Sequence, residues 1–294
     1  MSQTSREIVQ RCLRFDNPER MPRDIWCLPW AWTHCADAMR DLYARYPGDF
    51  GYPATVYAPS SRAKGDPWKA GQSVDEWGCC FTNIHDGVIG EVRTPLLPDL
   101  ADWKTVRPPY EILPGDTQAA IDCVNRDCAA SDKFMCAAAC ARPWERYQFI
   151  RGTENALLDV MCPEDGAADL LGVIHAYYMR ELEFWVKTDV DRIMFMDDWG
   201  SQRQLLIPPT IWRDLFKPMY RDYCELAHAH GKAVFMHSDG CITEIYPDLV
   251  EIGVDALNSQ LFVMDIAELA RIAKGRMTFW GEIDRQHVLT NPDP

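Results

Sequence analysis

The chain has 294 residues, of which 47% are hydrophobic, and its 44 acidic against 30 basic side chains give a formal net charge of −14. This length and apolar content predict either one large barrel domain over residues 1–294 or two smaller domains. The acidic balance argues against proteins that bind nucleic acid or an anionic membrane through a basic surface.

The first part of the chain predicts a helix, a strand and long loops. The Thr-Ser-Arg-Glu box at residues 4–7 predicts the start of a helix with Ile8 and Val9 on its apolar face. The stretch "RDIWCLPW", residues 23–30, is typical of a first strand. Residues 41–116 are rich in Pro, Gly and Asp with little periodicity, which predicts long loops over a barrel mouth.

The middle of the chain adds an acidic pair, a strand and a helix. Asp75 and Glu76 lie together in "SVDEWGCCF". The stretch "KFMCAAAC", residues 133–140, predicts a strand of small residues, which packs a barrel interior or leaves room for a ligand. A long amphipathic helix follows, with Pro163 in its first turn.

From residue 191 the elements become regular. The strand "DRIMFM", residues 191–196, ends in Asp197 and Asp198. The next apolar pattern predicts a helix that begins at two prolines, is kinked at Pro218 and stops at Gly231. A strand, a polar end and a helix thus form a unit, and this unit repeats through the rest of the chain.

The stretch "KAVFMHSDG", residues 232–240, is an apolar run that leads directly to His237 and Asp239. A buried strand that ends in polar groups is how α/β enzymes present their chemistry. The alternative is a histidine and an aspartate that only cap an Asp-Gly turn. A later strand, "RMTFWGEID", carries Glu282 and Asp284 at its end in the same way.

Strands that alternate with helices predict parallel βαβ units with right-handed crossovers. The last three strands start near Val234, Ala256 and Met277. This compact spacing favours an α/β fold of the TIM-type (β/α)8 barrel kind over an open sheet. The chain offers about seven strand candidates, one fewer than such a barrel needs, which predicts either a chain that lacks the eighth strand or a barrel completed in an unusual way.

The 12 cysteines are scattered along a chain with no signal peptide and no apolar run of membrane-spanning length. This distribution predicts free thiols in a reducing cytoplasm. The pairs Cys79/Cys80 and Cys136/Cys140 lack the Cys-x2-Cys spacing of a structural zinc site.

Several stretches resemble the uroporphyrinogen decarboxylase (URO-D) superfamily. The likeness is carried by the block from Asp191 to Gln260 and by "SVDEWGCCF", "FIRGTENALLDV" and "GEID". It implies a single TIM barrel whose site lies at the carboxyl ends of the strands. The superfamily includes porphyrinogen decarboxylases and cobalamin-linked methyltransferases, so the likeness alone leaves the reaction open.

The match to the decarboxylases is incomplete. Those enzymes carry a basic motif of the type MRQAGR at the end of the first strand, whereas the matching stretch here, "CLPWAWTHC", has Trp30, Trp32 and His34 and no arginine. A tetrapyrrole with many carboxylates needs cationic partners. Asp75 lies near the position of the family's pyrrole-binding aspartate, in a different local sequence. Uroporphyrinogen decarboxylation, which needs no cofactor, is the alternative function.

The stretch that ends in His237 and Asp239 resembles the cobalamin-dependent methyltransferase branch more closely. Those enzymes bind zinc through His-x-Cys-Gly and a late cysteine. Here the motif is His237, Ser238, Asp239 and Gly240, and no late cysteine occurs before Pro294. A carboxylate still ligates zinc but supplies no thiolate. The resemblance implies Zn²⁺ or another divalent metal at His237 and Asp239, and a corrinoid cofactor on a partner protein.

Two hypotheses of different class follow. The first is an enzyme that moves a methyl group from a small substrate, an aryl methyl ether or a methylamine-like compound, to the corrinoid protein. The second is a barrel that has lost catalysis and binds a ligand or partner. A homodimer is expected in either case.

The expected residues follow from these patterns. His228 and His230, near a helix end, are predicted to be surface groups. The predicted catalytic residues are His237, Asp239, Asp197 and Asp75, and the predicted substrate-binding residues are Trp30, Trp32, Asp198, Trp199, Glu282 and Asp284.

Overall fold

The structure of the protein is a computed structural model that describes residues 2–115, 117–162 and 165–291. The first helix begins as predicted, because the Thr4 hydroxyl accepts the N–H of Glu7 and the Glu7 carboxylate accepts the N–H of Thr4. Pro163, the predicted first turn of the long helix, lies outside the described residues. None of the helices in the described ranges is both long and apolar enough to cross a bilayer.

The helices account for most of the regular structure. In chain order they are α1 (Ser5–Leu13), α2 (Pro29–His34), α3 (Ala36–Arg45), α4 (Gln118–Ala129), α5 (Pro143–Arg151), α6 (Thr153–Met161), α7 (Ala167–Trp185), α8 (Pro209–Leu215), α9 (Lys217–Ala229), α10 (Tyr246–Ile252) and α11 (Ile266–Ala273). The predicted kink is confirmed, since α8 and α9 are separated at Phe216 and Pro218 is the second residue of α9. A proline there cannot donate the backbone hydrogen bond that would continue α8.

The strands are β1 (Phe50–Gly51), β2 (Gly71–Val74), β3 (Cys80–Asn83), β4 (Glu91–Val92), β5 (Phe134–Met135), β6 (Arg192–Met196), β7 (Ala233–Ser238), β8 (Ala256–Ser259) and β9 (Thr278–Trp280). Strands β6 to β9 pair in sequence order, all parallel. β1 pairs in parallel with β5, and parallel bridges join Cys136 to Arg192 and Ala141 to Phe195. The order in space is therefore β1-β5-β6-β7-β8-β9.

This sheet is curved, because side chains from its two ends meet on one face. The guanidinium of Arg192 lies 5.7 Å from the ring of Phe50 in β1, 4.5 Å from that of Phe235 in β7 and 5.2 Å from that of Trp280 in β9. The predicted α/β fold with parallel strands is confirmed. Among the described residues the sheet does not close into a barrel, since β1 and β9 do not pair with each other.

The stretch "RDIWCLPW", residues 23–30, lies between β9 and β1 but contains no strand. The carbonyl of Arg23 accepts the N–H of Asp49 just before β1, and the ring of Trp26 lies 5.1 Å from that of Trp280. The prediction of a first strand here is wrong. The end of this stretch instead begins α2 at Pro29. Proline lacks the N–H that a paired strand needs, and it suits the first position of a helix.

The predicted long loops over residues 41–116 include a small sheet. Strands β2, β3 and β4 pair antiparallel in that order. The turn between β2 and β3 is held by Asp75, whose Oδ1 accepts the N–H groups of Trp77 and Cys79 at 3.0 and 2.8 Å. The positive φ of Gly78, 95°, completes this turn without a Cβ clash.

Candidate active site

Polar groups from neighbouring strands meet at one edge of the parallel sheet. His237 of β7 lies opposite Met196 of β6 on one side and Asn258 of β8 on the other. Asp198 follows β6 and Asp239 follows β7, and one ligand atom each of Asp198, His237 and Asp239 lies within 4.8 Å of the other two. The structure thus brings together three residues that the sequence assigned to the site. We call them the Asp198–His237–Asp239 cluster.

The orientation of Asn258 determines which nitrogen of His237 carries a proton. Asn258 Nδ2 donates to the carbonyl of Trp280 at 2.8 Å, so Asn258 Oδ1 is the atom that faces His237 Nδ1, at 2.6 Å. An amide oxygen only accepts, so Nδ1 must donate. Nε2 then faces Asp198 Oδ1 at 3.5 Å and Asp239 Oδ1 at 3.7 Å. A neutral imidazole would direct its Nε2 lone pair at two carboxylates, so this position requires a positive charge.

The charges of the cluster stabilise one another. Burial lowers the pKa of His237, but its hydrogen bonds to Asp198 and Asn258 and the nearby carboxylates outweigh this effect, and the net pKa is raised. Burial raises the pKa of Asp198, but the His237 ring and the backbone N–H of Asp239 outweigh it, and the net pKa is lowered. The imidazolium of His237 and the carboxylate of Asp198 therefore each favour the charged form of the other.

The same three side chains fit a divalent metal. They offer one imidazole nitrogen and two carboxylate oxygens, a set that zinc and other first-row metals accept. The hydrogen bond from Nδ1 to Asn258 is the outer contact that metal-binding histidines usually have. Because a metal and a proton compete for Nε2, metal affinity should fall as the pH drops through the raised pKa of His237.

Replacing Asn258 by Leu is expected to weaken zinc binding by about 10–100-fold, the usual effect of losing the outer partner of a metal-binding histidine. The imidazole would lose the acceptor that holds its proton on Nδ1 and so leaves Nε2 to the metal when the ring gives up its second proton. Calorimetric titration with zinc chloride measures the effect, with Asn155→Ala as the control, because the Asn155 amide on α6 donates to the carbonyl of Arg151 and not to His237. Wild-type affinity in the Asn258 variant, or no zinc binding by the parent protein, would contradict this account of the cluster.

Glu282 and Asp284 have different places. The side chain of Glu282, 16% exposed, lies 3.5 Å from Arg285, which also donates to Asp239 at 2.9 Å. Burial raises the pKa of Glu282, and Arg285 partly offsets this. Asp284 instead accepts the N–H groups of Gln286 and His287 within its own turn. Glu282 therefore borders the cluster, whereas Asp284 holds the backbone after β9.

The aromatic side chain next to His237 is Trp26. The two ring centroids are 5.3 Å apart. Trp30 and Trp32 lie on α2, are 45% and 41% exposed, and do not stack on His237; Trp30 stacks on His34 instead. The sequence pattern assigns Trp26 to an apolar position of a strand and therefore did not indicate that it lies beside His237.

Asp197 lies behind the site. It is fully buried, and its carboxylate accepts the N–H of Trp144 at 3.0 Å, the N–H of Glu145 at 2.6 Å and the hydroxyl of Tyr220 at 2.6 Å. Burial raises the pKa of Asp197, while these three donors favour the ionised form. Because the two N–H groups belong to the first turn of α5, Asp197 is a positioning residue that fixes the start of that helix.

Trp199 is a core residue. It is fully buried, its indole N–H donates to Tyr220 at 2.9 Å, and its ring lies 5.3 Å from that of Trp144 and 4.6 Å from that of Phe216. The structure therefore separates Trp199 from the exposed edge to which the sequence assigned it.

Asp75 faces a separate cavity of about 490 Å³ between the β2–β3 hairpin, α5 and α7. There its carboxylate pairs with the buried guanidinium of Arg146. Arg142 on the same wall lies 3.3 Å from Glu145. Burial raises the pKa of Glu145, and the neighbouring charges of Arg142 and His237 oppose this. The sequence did not single out Glu145 or Arg142, although Arg142 comes two residues after the predicted strand at residues 133–140.

Comparisons with known proteins bear on the fold and the family. A family model described as Uroporphyrinogen decarboxylase (URO-D) matches residues 76–294. A solved structure of a methyltransferase from Methanosarcina mazei matches with a TM-score of 0.63 and 11% sequence identity, over 94% of this chain and 82% of that chain. At this identity the likeness shows the fold alone. No curated protein sequence matches the chain significantly.

Proposed function

Since the chain belongs to the uroporphyrinogen decarboxylase family, we propose that it is an enzyme that transfers a methyl group from a small methylated substrate to a corrinoid on a partner protein. The observation that carries the proposal is the Asp198–His237–Asp239 cluster, where Nε2 of His237 requires a positive charge between two carboxylates. A positive charge there polarises the heteroatom that bears the methyl group and makes it a better leaving group. The reduced corrinoid supplies the nucleophile.

Each residue near the cluster has a role in this scheme. Asn258 orients the imidazole so that Nε2 faces the substrate side, where it holds a proton or ligates a divalent metal together with Asp198 and Asp239. The ring of Trp26 packs at a tilt beside that of His237 and limits the access of water to it. We propose that the curved sheet that carries these residues is part of a TIM barrel, the fold of the family.

Decarboxylation of uroporphyrinogen is disfavoured by the charge of the site. Two arginines near the cluster are already paired with carboxylates, Arg285 with Asp239 and Arg142 with Glu145. Glu282 adds a further carboxyl group at the same edge. A substrate with many carboxylates needs free cationic partners, and this edge adds mainly negative charge.

The test is a methyl-transfer assay. We expect purified protein with added zinc to methylate reduced cobalamin, followed by its absorbance, from at least one member of a panel of methylated amines and aryl methyl ethers. Uroporphyrinogen is the control substrate and should release no carbon dioxide. Failure with the whole panel would contradict the proposal, and tight binding of a panel member without turnover would favour a barrel that has lost catalysis.

A further inference from the structure

The cavity beside α5 and α7 is distinct from the Asp198–His237–Asp239 cluster, since none of the three cluster residues lines it. Its volume of about 490 Å³ is ample for a small organic molecule. Much of its wall is aromatic, from Trp68, Trp77, Phe81, Phe149, Tyr177 and Tyr178. Such a wall favours ligands with apolar or cationic groups that pack on rings.

One carboxyl group on this wall, that of Glu181, is buried without a direct ion pair, although Arg142 and Arg146 lie near enough to lower its pKa. Glu181 is 8% exposed, and its Oε1 accepts the hydroxyl of Tyr57 at 2.8 Å, while Tyr57 accepts the indole N–H of Trp185 at 2.8 Å. Among the described residues no lysine or arginine forms an ion pair with it. Burial raises the pKa of Glu181 to about 7, and the Tyr57 hydrogen bond opposes this effect.

The arginines on the wall are already matched by other carboxylates. Arg146 pairs with Asp75, and Arg142 lies 3.3 Å from Glu145. The lining has three carboxyl groups, those of Asp75, Glu76 and Glu181, against the two guanidinium groups, so one carboxyl group is in excess; Glu76 shares Arg146 with Asp75, at 3.4 Å. The cavity therefore carries excess negative charge that the protein does not compensate, and burying such charge without a partner is costly.

We propose that this cavity binds a small methylated ammonium ion, with Glu181 as its counter-ion and the aromatic wall against its methyl groups. The guanidinium of Arg146 already covers the rings of Trp77 and Phe149, at 5.0 and 5.4 Å from their centroids. The rings of Trp68 and Phe81, which also line the cavity, remain for the ligand. An anionic ligand would add to the negative charge in excess. Because the cavity is separate from the cluster, this ammonium site goes beyond the proposed function and does not depend on it.

Choline and its neutral isostere 3,3-dimethylbutan-1-ol test the charge preference, because they have nearly the same shape. By calorimetry, we expect the parent protein to bind choline at least tenfold more tightly than the alcohol. Glu181→Gln keeps an oxygen that accepts from Tyr57 and is expected to bind both compounds equally. Glu183→Gln is the matched control, because Glu183 lies on the same helix, is 44% exposed and pairs with Arg180.

The pH dependence of choline binding needs no variant. Choline does not titrate, and only the ionised form of Glu181 attracts it, so a pKa of about 7 predicts a loss of affinity of about tenfold from pH 8 to pH 6. The arginines that face Glu181 keep their charge over this range, and burial raises the pKa of each facing tyrosine further above it. The groups that face it are Tyr57, Glu76, Arg142, Arg146, Tyr177 and Tyr178.

Equal affinities of the parent protein for choline and the alcohol would overturn the inference, as would a choline preference that survives Glu181→Gln or does not change with pH. These binding measurements are separate from turnover. Choline binding with no methyl transfer from any donor refutes the proposed function and leaves the ammonium site standing. Methyl transfer from aryl ethers, with no preference for the charged ligand, refutes the ammonium site alone.

Discussion

Replacing His237 by Ala is expected to lower methyl transfer by about 10²–10⁴-fold, the range for loss of a group that stabilises charge or transfers a proton in the transition state. The substitution removes the nitrogen that lies between Asp198 and Asp239 and leaves two carboxylates without the imidazolium. Folding should change little, because the carboxyl end of the strand faces the mouth, where water replaces the lost contact with Asn258. Initial rates and melting temperature, measured on one preparation, separate the two effects.

His228→Ala is the matched control. His228 lies near the end of α9 and pairs with Asp255 at 2.9 Å, away from the cluster, so its loss should leave the rate unchanged. If His237 were a structural residue, its replacement would instead leave a partner unsatisfied and cost about 1–3 kcal/mol of stability. A large fall in melting temperature with an unchanged rate per folded molecule would therefore refute a catalytic role for His237.

The regular half of the fold could be predicted because its elements repeat one physical pattern. Each buried parallel strand is a short apolar run, and each ends in polar residues at the same edge of the sheet. This is why His237, Asp239 and Asp198 could be expected to lie close together, and the structure places their ligand atoms within 4.8 Å. The same reasoning gave a wrong strand around Trp26, because Pro29 starts a helix there and the segment does not pair with a neighbouring strand.

The remaining parts of the site depend on tertiary contacts that leave no local signal. Asn258 acts on His237 only because β8 pairs with β7 in one register. Arg285 reaches Asp239 from a turn 46 residues along the chain. Asp197 and Asp198 are adjacent in sequence, yet the first points back to α5 and the second joins the cluster. Successive side chains of extended backbone point to opposite faces, so the register decides which of two neighbouring carboxylates faces the mouth.

Replacing Trp199 by Ala is expected to reduce the free energy of unfolding by about 3–5 kcal/mol, the range for deleting a large aromatic side chain from a packed core. The fully buried ring lies against Trp144 and Phe216, and its N–H is the donor that the Tyr220 hydroxyl accepts. Urea denaturation measures the loss of stability.

Trp30→Ala is the control for that experiment, because Trp30 is 45% exposed on α2 and its loss should change stability by no more than about 0.5 kcal/mol. Since the sequence assigned both tryptophans to the substrate, the pair distinguishes packing from binding. If Trp199→Ala kept its stability but lost methyl transfer, Trp199 would be a substrate-binding residue after all. A loss of stability in Trp199→Ala, which we expect, would mean that Trp199 acts through the core, as Asp197 does. The Tyr220 hydroxyl links the two residues, because it donates to the Asp197 carboxylate and accepts the indole N–H of Trp199. Asp197 fixes the start of α5, and the Trp199 ring packs against Trp144 in the first turn of that helix.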